Sequence, residues 1–168
     1  MPIDRATQQD AAAIAAIQAG VIDEDRWFIT RPGELVTSPE GKRAWLEALS
    51  RRGNAVVFVA RHEGEVVGFA VCEGGLLARM RHCAKLEIYL ARQARGLGLG
   101  EALLRRVIAW GREHDEVQKL GLCVFADNTR AVKLYEKLGF TVEGRRNREY
   151  REVDGSHRDD LLMAMWLG

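Results

Sequence analysis

The sequence contains few cysteines and carries almost no excess charge. Three cysteines occur in 168 residues, at Cys72, Cys83 and Cys123, and they are widely spaced without a Cys-x-x-Cys pair. An odd number of separated cysteines argues against a disulfide framework and favours free thiols in a reducing cytoplasm. The formal net charge is +1, so no overall field favours binding to nucleic acid or to an anionic membrane.

Long apolar runs and metal-binding motifs are missing too. No run approaches the roughly 18 apolar residues that a membrane-spanning helix requires. The apolar stretch 11–19 follows Asp4 and Asp10 instead of the basic flank of a signal peptide. The four histidines show neither HExxH nor any other paired ligand spacing. We therefore expect no membrane partner and no metal.

Length and patterning predict one domain, residues 1–168, built around a mixed sheet. A chain of 168 residues is long enough to bury a sizeable core. Apolar periodicity and turn signals predict the order β-α-α-β-β-β-α-β-α-β-β, which belongs to the α/β (α+β) class. The predicted strands are 3–5, 56–61, 66–72, 84–90, 120–125, 140–142 and 160–166, and the predicted helices open at Thr7, span 40–50, begin at Glu101 and span 128–138.

Residues 23–39 form a long segment without a regular pattern. The segment is interrupted by Pro-Gly and Ser-Pro pairs, yet it carries Trp27, Phe28 and Leu35. A segment of this length with aromatic residues is either a loop packed on the core or a lid that faces a substrate. The sequence leaves both interpretations open.

Glycines at every second position follow the fourth predicted strand. Gly96, Gly98 and Gly100 lie between strand 84–90 and the next predicted helix. Glycine lets the backbone turn tightly and approach a ligand closely. The amide hydrogens of such a turn, at the N-terminus of a helix, attract phosphate groups. The loop therefore predicts a site for a phosphorylated cofactor.

Two common phosphate-binding motifs do not fit this loop. A P-loop requires Lys followed by Ser or Thr after its last glycine, whereas Gly100 precedes Glu101 and Ala102. A dinucleotide fingerprint requires G-x-G-x-x-G, and neither reading of the loop places a glycine at the third position. The pattern R-x-x-G-x-G, read at Arg95, Gly98 and Gly100, is instead similar to the diphosphate loop of acyl-CoA N-acetyltransferases.

A second motif spans residues 128–140. Asn128 is a favoured helix N-cap, Gly139 suits the left-handed position after the last turn, and Phe140 can make the accompanying apolar contact. Read alone, Tyr135 on the apolar face is a core aromatic whose hydroxyl finds a neighbour. The segment also resembles the N-x-x-A-x-x-x-Y-x-x-x-G-F signature of the GNAT superfamily of N-acetyltransferases. The two motifs follow each other in the order found in that family.

This resemblance covers nearly the whole chain and implies both a fold and a cofactor. It implies a single GNAT-like domain, a mostly antiparallel twisted sheet of about seven strands flanked by about four helices, splayed between strands 4 and 5. Acetyl-CoA is expected in that gap. The residues that the resemblance assigns to cofactor binding are Ile88, Tyr89, Leu90, Arg95, Gly96, Leu97, Gly98, Leu99, Gly100 and Asn128. The tail from Glu143 to Met163 looks like a bacterial branch that contains amino-acid N-acyltransferases and phosphinothricin-type acetyltransferases.

The chemistry of amide formation gives roles to two side chains. An amine with a pKa near 10.4 is mostly charged at neutral pH and must lose a proton before it attacks. Glu87 is the candidate base, acting through water; the alternatives are an ordinary exposed side chain or an ion-pair partner of Lys85. Tyr135 is the candidate acid for the leaving thiolate. Cys123 has no evident His–Asp partner, so we expect direct transfer in a ternary complex.

The expected activity is acetyl-CoA-dependent acetylation of a small primary amine, an amino acid or a related molecule. Protein N-termini, lysine side chains and antibiotics are alternative acceptors. A catalytically inactive CoA-binding regulatory domain and a nucleotide-binding module are the competing functions. A homodimer is the commonest oligomer among soluble proteins and is the expectation here.

Overall fold

A seven-stranded sheet forms the centre of the structure, a computed structural model that describes residues 2–168. The strand order is β1-β2-β3-β4-β5-β7-β6, and every neighbouring pair is antiparallel except β4 and β5. The strands are β1 (Ile3–Arg5), β2 (Ala55–His62), β3 (Glu65–Gly74), β4 (Cys83–Leu90), β5 (Lys119–Phe125), β6 (Thr141–Arg151) and β7 (His157–Trp166). The predicted α/β class with one mixed sheet is confirmed.

Four α-helices flank the sheet within residues 2–168, as predicted: α1 (Ala11–Ile22), α2 (Pro39–Ser50), α3 (Leu99–Arg112) and α4 (Thr129–Lys137). Polar side chains fix where two of them begin. The hydroxyl oxygen of Ser38 accepts a 3.0 Å hydrogen bond from the amide of Gly41 at the start of α2. Ahead of α1, the carboxylate of Asp10 accepts a 2.8 Å hydrogen bond from the amide of Thr7, the residue at which this helix is predicted to open, and the two residues form a capping box.

Different helices cover the two faces of the sheet. On one face α3 packs through Leu103 and Val107, both fully buried, against a core that includes Phe58. On the other face α1 and α2 pack on β2, β3 and β4, where Ile14 and Phe69 are buried. Apolar side chains alternate along the strands to serve both clusters, because successive residues of a strand point to opposite faces.

The sheet is splayed between β4 and β5. Their parallel pairing contains only three residue pairs, from Cys83 with Lys119 to Lys85 with Gly121. Beyond them the strands diverge, while β4 stays paired with β3 as far as Leu90. One edge of β4 and one edge of β5 are therefore free. The expected splay between the fourth and fifth strands is confirmed.

The hairpin of β6 and β7 is longer than predicted. The prediction ended the sixth strand at residue 142 and treated the charged stretch that follows as a connection. The structure instead continues the ladder up to the turn at Asp154 and Gly155. Charged side chains hold the extension together, since the guanidinium of Arg145 donates to the carboxylate of Asp159 at 2.9 Å. The prediction was wrong here because a mostly exposed strand lacks the apolar alternation that marks a half-buried one.

Candidate active site

The diverging strands open a cleft of about 1890 Å³ that reaches from the start of α3 to the β6–β7 hairpin. One wall is the free edge of β4 after Lys85, and the other is the free edge of β5 after Gly121. An unpaired strand edge presents a row of main-chain N–H and C=O groups. The cleft can therefore hold a long ligand that carries amide groups.

The predicted glycine loop lies at one end of the cleft. Gly96 and Gly98 have φ angles of 86° and 79°, a region that side chains other than glycine rarely adopt, and the space around both is open. Gly98 is the N-cap of α3, and helix geometry leaves the first amides of α3 without an acceptor inside the helix. The loop therefore presents free N–H groups at the positive end of the helix dipole.

Two residues of this loop do not line the cleft. Leu97 points into solvent and is 42% exposed, whereas Leu99 is fully buried in the core beneath α3. Of these two residues, only main-chain atoms are in a position to meet a ligand. Gly100, by contrast, lies in the wall, where a Cβ would come within 3.0 Å of the Leu90 side chain.

Arg95 faces protein partners. Its Nη1 and Nη2 donate to the two carboxylate oxygens of Glu24, both at 2.7 Å, and its Nε and Nη2 donate to the carbonyl oxygen of Leu90 at 3.2 and 2.9 Å. Hydrogen bonds from Arg95 hold the pKa of Glu24 below its usual range. Sequence reasoning missed Glu24, because nothing local to it predicts a contact with a residue 71 positions away.

Tyr135 is a buried residue of α4 that lines the cleft. Its ring packs edge-on against Phe140, with centroids 5.9 Å apart. Burial raises the pKa of Tyr135 to about 12, so the phenol stays protonated at neutral pH and is able to donate a proton. Asn128 also lines the cleft and caps α4, its side-chain oxygen accepting a 3.3 Å hydrogen bond from the amide of Ala131.

Glu87 and Tyr89 lie on the same face of β4, opposite to Ile88 and Leu90. Glu87 is exposed and lines the cleft. The hydroxyl of Tyr89 donates to Oε2 of Glu87 at 2.8 Å. Ile88 and Leu90 pack toward the core under α3. Tyr89 is one of the residues predicted to bind the cofactor, and its side chain lies beside the candidate base.

Lys85 lies next to Glu87 on this face without pairing with it. No carboxylate within residues 2–168 lies within ion-pair distance of Lys85, although its cross-strand neighbour is Glu73. The carboxylate of Glu73 instead forms an ion pair with the guanidinium of Arg52, at 2.9 Å. The alternative interpretation of Glu87 as an ion-pair partner of Lys85 therefore has no support in the structure.

Residues 23–38 are irregular, as predicted, while Pro39 already begins α2, and the irregular segment contributes to the lining of the cleft. Trp27, Phe28 and Leu35 all line the cleft. The ring of Phe28 stacks on Tyr89 with centroids 4.5 Å apart. The start of the segment is thus packed, while Val36 near its end is 92% exposed.

A charged cluster that sequence reasoning missed lies at the far end of the cleft. Asp160 is only 2% exposed and is paired with the guanidinium of Arg146. Arg146 also donates to the hydroxyl of Tyr150 at 3.3 Å. Cys123 faces the same region, and burial raises the pKa of its thiol. No local pattern in the sequence would have found this cluster, because Arg146 and Asp160 meet only through the pairing of β6 with β7.

Across residues 2–168, no helix combines the length and apolar character needed to cross a bilayer. The same residues contain no group of three or more His, Cys, Asp or Glu side chains arranged to hold a metal ion.

Comparison with known proteins agrees with this geometry. Residues 19–140 match the model of the acetyltransferase (GNAT) family. The chain is 32% identical over 120 residues to the L-amino acid N-acetyltransferase AaaT of Escherichia coli (strain K12), an alignment that covers 71% of this chain and 74% of that protein.

Two solved structures are similar over almost the entire chain. The acetyltransferase of GNAT family from Streptococcus pneumoniae has a TM-score of 0.92 at 26% identity and covers 99% of both chains. The structure of yncA from Salmonella typhimurium, described with its cofactor acetyl-CoA, has a TM-score of 0.89 at 24% identity over 100% of this chain and 94% of that one. The chain therefore belongs to the GNAT family and is an N-acetyltransferase that uses acetyl-CoA.

Proposed function

We propose that this enzyme transfers the acetyl group of acetyl-CoA directly to the α-amine of a small amino acid. The observation that carries the choice of acceptor is the pair of neighbouring side chains Lys85 and Glu87 on one face of β4. An α-amino acid presents an ammonium and a carboxylate side by side. In this proposal Glu87 receives the ammonium, and Lys85, which has no ion-pair partner within residues 2–168, receives the carboxylate. The amino-acid acceptor of the Escherichia coli relative supports the same choice.

The walls of the cleft fit the chemistry of acetyl-CoA. Free amides at the start of α3 suit its diphosphate. The free edge of β4 at Ile88 suits the amides of its pantetheine arm, and at Leu90 the main-chain amide is proposed to serve, because Arg95 already occupies the Leu90 carbonyl. Asn128 also lines the cleft. When bound, acetyl-CoA supplies a reactive acyl thioester.

Glu87 is proposed to accept a proton from the acceptor, directly or through a water molecule. The bond from Tyr89 occupies Oε2 and leaves Oε1 for the acceptor. The side chain is exposed to the cleft, so a proton taken up here can pass to solvent. General base catalysis of this kind contributes roughly 10²- to 10⁴-fold to a rate.

Tyr135 is proposed to donate a proton to the leaving thiolate. Its phenol is buried and protonated at neutral pH, and within residues 2–168 its hydroxyl forms no hydrogen bond that would have to break first. A thiolate with a pKa near 8.5 is stabilised when such a donor is in place.

Direct transfer is supported by the surroundings of Cys123. A thiol attacks as its thiolate, and burial raises the pKa of this one. The thiol contacts the guanidinium of Arg146 at 3.8 Å and the carboxylate of Asp160, and no histidine within residues 2–168 is hydrogen-bonded to it. Mass spectrometry with acetyl-CoA alone would contradict direct transfer if a stable acetyl-enzyme accumulated.

The rim of the cleft favours an acceptor with an apolar side chain. Ile29 and Leu35 from one side, and Leu76 and Met80 from the other, line the cleft and are 64%, 45%, 76% and 48% exposed. Binding of an apolar ligand is favourable when it covers exposed apolar groups at the mouth of a site. A leucine-like amino acid fits both this rim and the pair on β4.

A matched pair of amines tests the acceptor. L-Leucine and 3-methylbutylamine differ only in the carboxylate, and release of the CoA thiol reports both reactions. We expect kcat/KM for L-leucine to exceed that for the amine by about 10-fold or more, the effect of one charge-assisted contact. In Lys85→Gln the two values of kcat/KM should become similar. In the control Lys119→Gln the preference for L-leucine should remain, because the Lys119 ammonium is already paired with Glu143 at 2.7 Å.

The panel also includes spermidine and a lysine-containing peptide. A higher kcat/KM for either would identify a different acceptor class and contradict the amino-acid proposal. Equal values for L-leucine and 3-methylbutylamine would remove the role of Lys85.

We also propose a homodimer that works in the cytoplasm. Three free thiols fit a reducing compartment. Sedimentation velocity of the purified chain tests the oligomeric state, and a single monomeric species at micromolar concentration would contradict it.

A further inference from the structure

We infer that Glu24 and Arg95 are positioning residues whose ion pair holds residues 24–28, here called the acceptor strap, across the mouth of the cleft. This assigns Arg95 to the acceptor side of the site. The family resemblance had assigned it to the diphosphate.

The geometry of the pair is well defined. Two parallel hydrogen bonds of 2.7 Å join the guanidinium of Arg95 to the carboxylate of Glu24, and both side chains are about three-quarters buried, at 29% and 26% exposure. Such a bidentate pair fixes orientation as well as distance. The remaining edge of the guanidinium donates to the carbonyl of Leu90, the last residue of β4. The strap is thereby fastened to the end of the strand that forms one wall.

A second anchor fastens the strap to the other wall. Nη1 of Arg158, on β7, donates to the carbonyl of Arg26 at 2.7 Å. The guanidinium of Arg158 lies 3.7 Å from the ring centre of Phe125 on β5 and 5.3 Å from that of Trp27. The strap therefore spans the gap between the diverging strands, with β4 at one end and β5 and β7 at the other.

Between the two anchors the strap reaches the candidate base. Phe28 stacks on Tyr89 at 4.5 Å, and Tyr89 donates to Glu87. A displacement of the strap would consequently shift Tyr89, which holds Glu87 in place. It would also shift the part of the cleft wall that an acceptor would contact. The segment changes character after the strap, since Ile29 and Val36 are 64% and 92% exposed.

In this arrangement Arg95 supports the binding of the acceptor, whereas the glycine loop binds acetyl-CoA. Within residues 2–168 the donors of Arg95 are directed at Glu24 and Leu90, so binding of a diphosphate falls to the free amides of the glycine loop. Loss of the pair should loosen the acceptor pocket and leave the cofactor loop intact. The competing outcome is a switch of Arg95 from Glu24 to the diphosphate, which would make Glu24 a competitor of acetyl-CoA.

Glu24→Gln provides the first test, since it keeps the shape of the side chain and removes its charge. With L-leucine as acceptor, we expect KM to rise about 10-fold while kcat stays within about twofold, as for a lost positioning contact. The Kd of acetyl-CoA, measured by calorimetry, should stay within about twofold of the parent value. Arg95→Gln should raise the KM for L-leucine to the same extent, and the double variant no further, because both changes break one pair.

The matched control is Glu34→Gln, in the same segment but outside the strap, where the carboxylate only accepts from the nearby Arg31 amide at 2.8 Å. It should leave the KM for L-leucine and the Kd of acetyl-CoA unchanged. Tighter binding of acetyl-CoA by Glu24→Gln with an unchanged KM would overturn the inference in favour of the switch. The inference would also be overturned if the rise in KM for L-leucine in the double variant equalled the product of the rises in the two single variants.

The kinetic arm rests on the proposed acceptor, so a second measurement is independent of it. Amide hydrogen exchange of the acetyl-CoA complex should be faster in residues 24–28 of Glu24→Gln than of the parent protein, and unchanged in 99–112. Unaltered exchange in the strap would sink the inference whichever amine is the substrate. Failure of L-leucine as a substrate, with faster exchange in the strap, would count against the acceptor alone.

Discussion

The hydroxyl of Tyr89 donates a 2.8 Å hydrogen bond to the carboxylate of Glu87, two residues earlier on the same face of β4. The ring of Tyr89 is held between Phe28 and Phe69, with centroid distances of 4.5 and 4.7 Å. The orientation of the candidate base is therefore set by an aromatic stack that runs from the acceptor strap into the core. This arrangement separates what the ring does from what the hydroxyl does.

Tyr89→Phe should keep the stack and remove only the hydrogen bond. We expect kcat to fall about 10-fold, because a hydrogen bond to a charged group is worth on the order of 1.5 to 3 kcal/mol. The Kd of acetyl-CoA and the Tm should change little. Steady-state kinetics with a calorimetric Kd checks this, and an unchanged kcat would show that the hydroxyl does not hold the base.

Glu87→Gln removes the proposed base and keeps its shape. We expect kcat to fall by roughly 10²- to 10⁴-fold, the usual range for a general base, and the pH–rate profile to flatten. Binding of acetyl-CoA should persist. A pH–rate profile identical to that of the parent enzyme would place the base elsewhere.

Tyr135→Phe tests the proposed acid. The ring still fills its buried site against Phe140, so we expect the fold and the binding of acetyl-CoA to survive. We expect kcat to fall roughly 10- to 1,000-fold, the range for a general acid. Tyr150→Phe, at the far end of the cleft, is the matched control, and its kcat should fall much less. Full turnover by Tyr135→Phe would exclude the acid role.

Gly98→Ala tests the glycine loop through backbone conformation. A side chain at a φ of 79° costs roughly 1 to 2 kcal/mol, so we expect the Kd of acetyl-CoA to rise about 10-fold. Gly20→Ala is the control, because Gly20 lies inside α1 with no atom within 4 Å of its added Cβ. It should stabilise the helix slightly and leave the Kd unchanged. Equal affinity in the two variants would remove the loop from the cofactor site.

The raised pKa of Tyr135 predicts a loss of stability in alkali. The folded protein favours the protonated phenol, whose pKa is about 12 against about 10 in an unfolded chain. The resulting stabilisation, on the order of 3 kcal/mol, is complete below pH 10 and is lost as the pH rises through 12. Urea unfolding at pH 9 and pH 11.5 should show a steeper loss for the parent protein than for Tyr135→Phe. Parallel losses would contradict the assigned burial.

Local sequence patterns predicted most of the fold. The spacing of Gly96 and Gly98 indicated a tight turn, and the structure has positive φ angles at both residues. The Asn128 cap and the Gly139 stop delimited α4 correctly. These signals are local, because a cap or a left-handed residue is decided by its own neighbours along the chain.

The missed features depend on contacts between distant parts of the chain. The pairs Glu24–Arg95 and Arg146–Asp160 join residues on different elements, and no periodicity reports where a charged side chain will find its partner. The extension of β6 was missed because a mostly exposed strand has no apolar alternation along the chain. The reaction class could be predicted because two sequence motifs indicate it. The choice of acceptor, by contrast, depends on side chains such as Lys85, whose partners are seen only in the folded structure.

The short pairing of β4 with β5 has a mechanical consequence. The halves β1–β4 and β5–β7 share a main-chain seam of only three residue pairs, so each half is able to open partly without the other. A cofactor that bonds to both free edges completes the interrupted seam and joins the halves into one cooperative unit. Bound acetyl-CoA should therefore raise the heat resistance of the two halves together, so that they unfold in a single transition.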